Sequence, residues 1–140
     1  MQIGLVGLQY TGKTTLFNTI AGKEIDISAG IKEEATIEVV KVPDERLDKL
    51  TEIFNPKKQV NATIEVFDFP GLRMSDDGKI NITNAFLNSV KDNDAIFYVV
   101  RQFKNDAVPH PKNEIDPLKD IQYLDEEFLL YDLDLLERRI

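Results

Sequence analysis

The residues best suited to chemistry lie in two short clusters. Gly7-Leu8-Gln9-Tyr10-Thr11-Gly12-Lys13-Thr14 matches the pattern G-x-x-x-x-G-K-[ST]. Its glycines let the backbone curl so that N–H groups point inward at phosphate oxygens. Lys13 can then reach β- and γ-phosphates, and the Thr14 hydroxyl can ligate Mg²⁺. The bare pattern also arises by chance in glycine-containing turns. Its setting favours the phosphate-binding reading, because an apolar strand-like segment precedes it and a helical segment follows directly. A helix starting there aims its positive end at the anion. Gly7, Gln9, Tyr10, Thr11, Gly12, Lys13, Thr14 and Thr15 are the candidate phosphate-loop contacts.

The second cluster is Asp68-Phe69-Pro70-Gly71. An Asp closing a buried strand can hold the water shell of Mg²⁺, and Gly71 can offer its N–H to a γ-phosphate. Asp-x-Pro-Gly is also a common turn; the phosphate loop upstream favours the functional reading. Thr14 and Asp68 are thus the candidate metal residues. Thr36 can close over Mg²⁺ and order the preceding loop as a switch, or can simply be a β-branched residue starting a strand. A guanine-reading [NT]-K-x-D motif is missing. Phe103-Lys104-Asn105-Asp106 comes nearest, but it has Phe at the base-contacting position and follows the wrong strand.

These residues need a scaffold, and the pattern supplies one. Residues 2–6 read as a buried strand ended by Gly7, and residues 14–21 as a helix stopped by Gly22. Residues 23–35 read as a mobile loop. A strand follows over 36–42, and Pro43 opens a short helix with Leu47, Leu50 and Ile53 at helical spacing. Residues 62–68 form a second β run, 72–79 a polar loop, and 82–90 another helix. Residues 95–100 read as a strand buried on both faces. From Pro117 to Ile140 the pattern is helical. Strands alternating with helices predict an α/β layer fold with a mainly parallel sheet.

The 140 residues suffice for one domain with its own core. There is no cysteine, and no apolar stretch nears the roughly 20 residues of a membrane helix. The start carries no positive n-region, so no signal peptide is expected and a soluble, cytoplasmic domain is. The net charge of −8 argues against direct binding to nucleic acid or an anionic membrane. Residues 114–140 hold nine acids and three bases, so most of that charge belongs to the terminal helix.

Several blocks together resemble the YchF (Obg-like ATPase) family of P-loop GTPases in the Obg group. They are Leu5-Val6-Gly7 with Gly12-Lys13-Thr14-Thr15-Leu16-Phe17-Asn18, Val42-Pro43-Asp44-Glu45-Arg46-Leu47-Asp48-Lys49-Leu50, Asn55-Pro56-Lys57-Lys58 and Ala62–Leu72. The similarity resumes at Asp94-Ala95-Ile96, Val99-Val100-Arg101-Gln102-Phe103 and Asp116-Pro117-Leu118-Lys119-Asp120-Ile121. The resemblance implies a three-layer P-loop NTPase fold. Residues 1–115 would be the front part of a G domain, incomplete in this chain. Residues 116–140 would be the start of a coiled-coil arm. It further implies a cytoplasmic molecular switch that binds GTP or ATP with Mg²⁺, hydrolyses it slowly, and meets the ribosome through parts outside this chain. Where the family loop usually reads L-P-N-V-G-K-S, this chain has Leu8-Gln9-Tyr10-Thr11-Gly12-Lys13-Thr14, which marks a divergent member. The stretch from Thr36 to Asp44 is shorter than in relatives. The glycine-rich segment after Leu72 is replaced by Arg73-Met74-Ser75-Asp76-Asp77-Gly78.

Hydrolysis needs a positioned water and neutralised phosphoryl charge. Leu72 follows Gly71 where a water-orienting Gln stands in Ras-like enzymes, and it cannot hydrogen-bond water. By resemblance, His110 is the candidate catalytic residue; flanked by Pro109 and Pro111, it also reads as a solvent loop residue. Arg73 is either a charge stabiliser or solvated. Two alternatives stay open: a nucleotide-binding module without useful catalysis, and an interaction scaffold with a decayed site. On the last helix, Ile121, Leu124, Phe128, Tyr131 and Leu135 form one stripe, and Leu129, Leu133, Leu136 and Ile140 a second. Either the helix docks on the sheet, or an exposed face pairs with another copy.

Overall fold

A computed structural model describes residues 1–23, 34–75, 79–108, 110–111 and 114–139. Most of the expected switch loop 23–35, the acids Asp76 and Asp77 with Gly78, Pro109, and Ile140 of the second stripe lie outside the described residues. The elements run β1 (Gln2–Val6), α1 (Lys13–Ala21), β2 (Thr36–Lys41), α2 (Glu45–Phe54), β3 (Thr63–Asp68), β4 (Arg73–Met74), β5 (Ile80–Asn81), α3 (Asn84–Val90), β6 (Ala95–Tyr98) and α4 (Pro117–Glu137).

The main sheet has the order β2-β3-β1-β6. β1 runs parallel to both β3 and β6, with Leu5 opposite Asp68 and Val6 opposite Tyr98. β2 is antiparallel to β3, so the α/β sheet is mixed at its outer pairing. The C-terminal ends of β1, β3 and β6 therefore open on one edge, where open α/β sheets bind ligands.

Alternation along β1 sends neighbouring side chains to opposite faces. Leu5 joins Phe17 of α1 and Val66 in one core cluster. Val6 joins Leu8, Phe69, Leu72, Ile80, Val90 and Leu124 in the other, which collects α3 and α4. Helices thus cover both faces, giving the expected three layers.

Four local expectations are revised. Residues 72–79 are not all loop: Arg73–Met74 and Ile80–Asn81 pair as a short antiparallel hairpin. Its Ile80 is buried in the core, the anchor that a run of polar neighbours conceals. The strand read over 95–100 spans only 95–98, and it is not buried on both faces. It lies at the sheet edge, with Ile96 37% and Phe97 51% exposed. Pro43 does not open α2. Asp44 caps it instead, its carboxylate accepting from the Arg46 N–H, and the cap and the Arg46 side chain hold that carboxyl below the usual range. The terminal helix closes at Glu137, three residues before the expected end.

The two stripes of α4 part company. Leu124 is fully buried, Phe128 stacks on Tyr98 at 6.1 Å, and the Tyr131 hydroxyl lies 3.4 Å from Asn88 Oδ1. Leu129, Leu133 and Leu136 face outward at 51–67% exposure. The first stripe docks, and the second is open to solvent.

Candidate nucleotide site

β1 delivers the chain into the phosphate loop at full burial. A Cβ on Gly7 would lie 2.3 Å from the Val99 carbonyl oxygen, so only glycine fits where the loop passes β6. Within the loop, Thr11 Oγ1 donates to the Leu8 carbonyl at 3.0 Å, which fixes the turn from inside. Gly12, left-handed at φ 94°, is the N-cap of α1. Glycine has no side chain with which to cap the helix, and no acidic residue occupies the first turn. The first N–H groups of α1 are left facing the loop with their partial positive charge.

Lys13 is buried, and its Nζ reaches back across the loop to within 3.5 Å of the Leu8 carbonyl. Thr15 is exposed on the outer side of α1. Tyr10 is half exposed and left-handed at φ 63°, a conformation uncomfortable for a side chain with a Cβ. The resemblance places Asn there, which tolerates that region better.

The second cluster meets the first. Thr14 Oγ1 donates to Asp68 Oδ2 at 2.8 Å, a contact spanning 54 residues of sequence. Asp68 is 1% exposed, at the end of β3. A hydroxyl and a buried carboxylate brought together at the mouth of a phosphate loop form a hard oxygen pair, which fits Mg²⁺; the remaining oxygens would come from phosphate and water. Thr36 opens β2 and is the register partner of Asp68. It starts a strand, and its register position lies beside this pair.

Gly71 lies against the loop. The Gln9 N–H donates to the Leu72 carbonyl and the Leu72 N–H to the Gly7 carbonyl, both at 3.0 Å. These bonds zip the phosphate loop to the D-x-P-G turn. A Cβ on Gly71 would meet Gln9 Cγ at 2.9 Å and Gln9 Cα at 3.0 Å. Leu72 itself is 4% exposed and points into the core. A cavity of about 430 Å³ opens beside this turn, between Phe69, Pro70, Gly71 and Arg73 on one side and Ala85 and Phe86 of α3 on the other.

His110 is elsewhere in the contact scheme. It is not a solvent loop residue: it is 6% exposed, with Nε2 3.4 Å from Oδ2 of the buried Asp120 on α4. It lines a cavity of about 450 Å³ with Arg101, Lys104 and Asn105. Sequence reasoning gave Arg101 no role of its own, yet it is 1% exposed and holds the loop after β6. Its Nε donates to the Phe103 carbonyl at 3.1 Å and its Nη2 to the Asn105 carbonyl at 3.2 Å, while the guanidinium covers the Phe103 ring at 4.8 Å. An arginine closing an apolar run was the available signal.

The family model of the 50S ribosome-binding GTPases matches residues 2–132. The chain belongs to this GTPase family. Within it, the chain is 39% identical over 139 residues to the ribosome-binding ATPase YchF of Bacillus subtilis, covering 98% of this chain and 38% of that protein. It is 35% identical over 144 residues to Obg-like ATPase 1 of rice (Oryza sativa subsp. indica), covering all of this chain and 36% of that protein. The structure of the Schizosaccharomyces pombe YchF GTPase superposes with a TM-score of 0.71 at 31% identity, over 99% of this chain and 38% of that one. The resemblance to YchF and Obg-like proteins is thereby borne out, as is the α/β P-loop fold. The chain spans less than two fifths of these relatives' length. No helix among its described residues is long and apolar enough to cross a membrane.

Proposed function

We propose that this chain binds a purine nucleoside triphosphate with Mg²⁺ and hydrolyses it slowly, as the phosphate-handling part of a molecular switch that acts at the ribosome. The observation that carries this reading is the 2.8 Å bond from Thr14 to buried Asp68 at the mouth of the glycine-built loop. The family match and the ribosome-binding ATPases among its relatives support the substrate class and partner. A cytoplasmic setting and nucleotide-dependent switching follow from the same reading, with residues 1–115 as the front of the G domain and 116–140 as the base of an arm.

In this reading the loop N–H groups and the start of α1 receive the phosphates, and Lys13 leaves the Leu8 carbonyl for phosphate oxygens. Thr14 and Asp68 hold Mg²⁺, which would neutralise charge on the transferring phosphoryl group. Thr36 sits where a hydroxyl can join them. His110, beside the buried Asp120, is the candidate for acting on the attacking water.

A second reading, binding without useful hydrolysis, has its own support: Leu72 is buried and offers no hydrogen bond. Phosphate release from Mg·ATP and Mg·GTP separates the two. Release by the wild-type chain that Lys13→Ala abolishes supports the switch. Tight binding without release supports the binding module.

A further inference from the structure

Leu72 cannot orient water, but a carboxamide of the phosphate loop, Gln9, lies against the same turn. Gln9 packs across Gly71, held by its backbone bond to Leu72. Its Nε2 is buried and has no hydrogen-bond partner among the described residues. An unpaired buried amide is costly, which points to a partner supplied from outside the described residues. The family loop usually has a proline at this position. Gly71 makes the contact possible: any Cβ would push the Gln9 side chain away.

We propose that Gln9 is a water-positioning residue, its carboxamide standing in from the phosphate loop for the group that Leu72 does not supply. This rests on the hydrolytic reading above. The side chain accepts a hydrogen bond from the attacking water through Oε1 and donates one through Nε2 to the γ-phosphoryl oxygen. The water oxygen bonds to the γ-phosphorus as the bond to the β,γ-bridging oxygen breaks. The water's proton passes to the departing phosphate, giving nucleoside diphosphate and inorganic phosphate. Gln9 lends orientation and neither gains nor loses a proton overall.

The test compares Gln9→Met, which keeps the length and packing but not the hydrogen bonds, with Gln9→Ala and with His110→Ala. Single-turnover phosphate release is measured with Mg·ATP and Mg·GTP. Affinity is measured for the diphosphate alone and for the diphosphate with fluoroaluminate, a mimic of the transferring phosphoryl group. Gln9→Met is expected to slow release roughly 10- to 100-fold and to weaken the fluoroaluminate complex by a similar factor. Diphosphate affinity should fall far less than affinity for the fluoroaluminate complex, since the loop's backbone N–H groups are kept. A Gln9→Met chain that releases phosphate and binds fluoroaluminate as the wild type does overturns the proposal, whatever His110→Ala does. Loss in Gln9→Ala that Gln9→Met restores also overturns it, since packing would then suffice. A wild-type chain that binds nucleotide but releases no phosphate removes the hydrolytic reading, and this proposal with it. One that binds no nucleotide removes the nucleotide reading altogether.

Discussion

At the residue scale, the phosphate loop combines tight constraint with one strained position. Gly7 has no room for a methyl group beside the Val99 carbonyl, so Gly7→Ala should destabilise the fold by about 1–3 kcal/mol in denaturant unfolding. Tyr10 sits left-handed and half exposed, so Tyr10→Asn should stabilise by about 0.5–1 kcal/mol in the same measurement. Both positions belong to the loop, and they move stability in opposite directions. A third residue carries a pH signature. Burial, with Asp125 alongside, pushes the Tyr98 hydroxyl up to about 12. An unfolded chain gives up that proton near pH 10, the ordinary value, while the folded one keeps it until about 12. The contribution of Tyr98 is complete below pH 10 and falls away as pH rises to about 12. Stability measured at stepped alkaline pH should lose that part of its slope in Tyr98→Phe.

At the element scale, α4 shows how far a sequence pattern reaches. Two apolar stripes were legible, but which one meets the core depends on Tyr98, Asn88 and Val90, far away in the chain. Leu124→Ala should cost about 2–5 kcal/mol, because that side chain is fully enclosed. Leu133→Ser, on the open stripe, should stay within about 0.5 kcal/mol. Equal costs in unfolding experiments would contradict the docking described here. The β1–phosphate loop–α1 unit was legible because glycine, lysine and threonine stand at fixed offsets, and Gly22 closes the helix as read. The β4–β5 hairpin was not, since two-residue strands carry no period. The reading of β6 as doubly buried failed because an apolar run does not reveal whether its strand lies central or at an edge. The partnership of His110 with Asp120, like the packing of Gln9 on Gly71, is tertiary and leaves no trace in local spacing.

At the scale of the whole molecule, three parallel strand ends converge on one edge of the sheet, where the phosphate loop and the D-x-P-G turn meet. The Thr14–Asp68 bond ties the two motifs across 54 residues, and the Gln9–Leu72 and Leu72–Gly7 bonds tie them again. In sequence, the acidic charge concentrates on the terminal helix rather than on the phosphate loop. The proposed function requires magnesium-dependent binding of a purine nucleoside triphosphate at this edge. Calorimetric titration of the chain with ATP and with GTP, in Mg²⁺ and in chelator, tests it directly. The expected result is saturable binding of at least one nucleotide that weakens sharply in chelator and in Thr14→Ala, and disappears in Lys13→Ala. Binding of neither nucleotide, or binding indifferent to Mg²⁺ and Lys13, would contradict it.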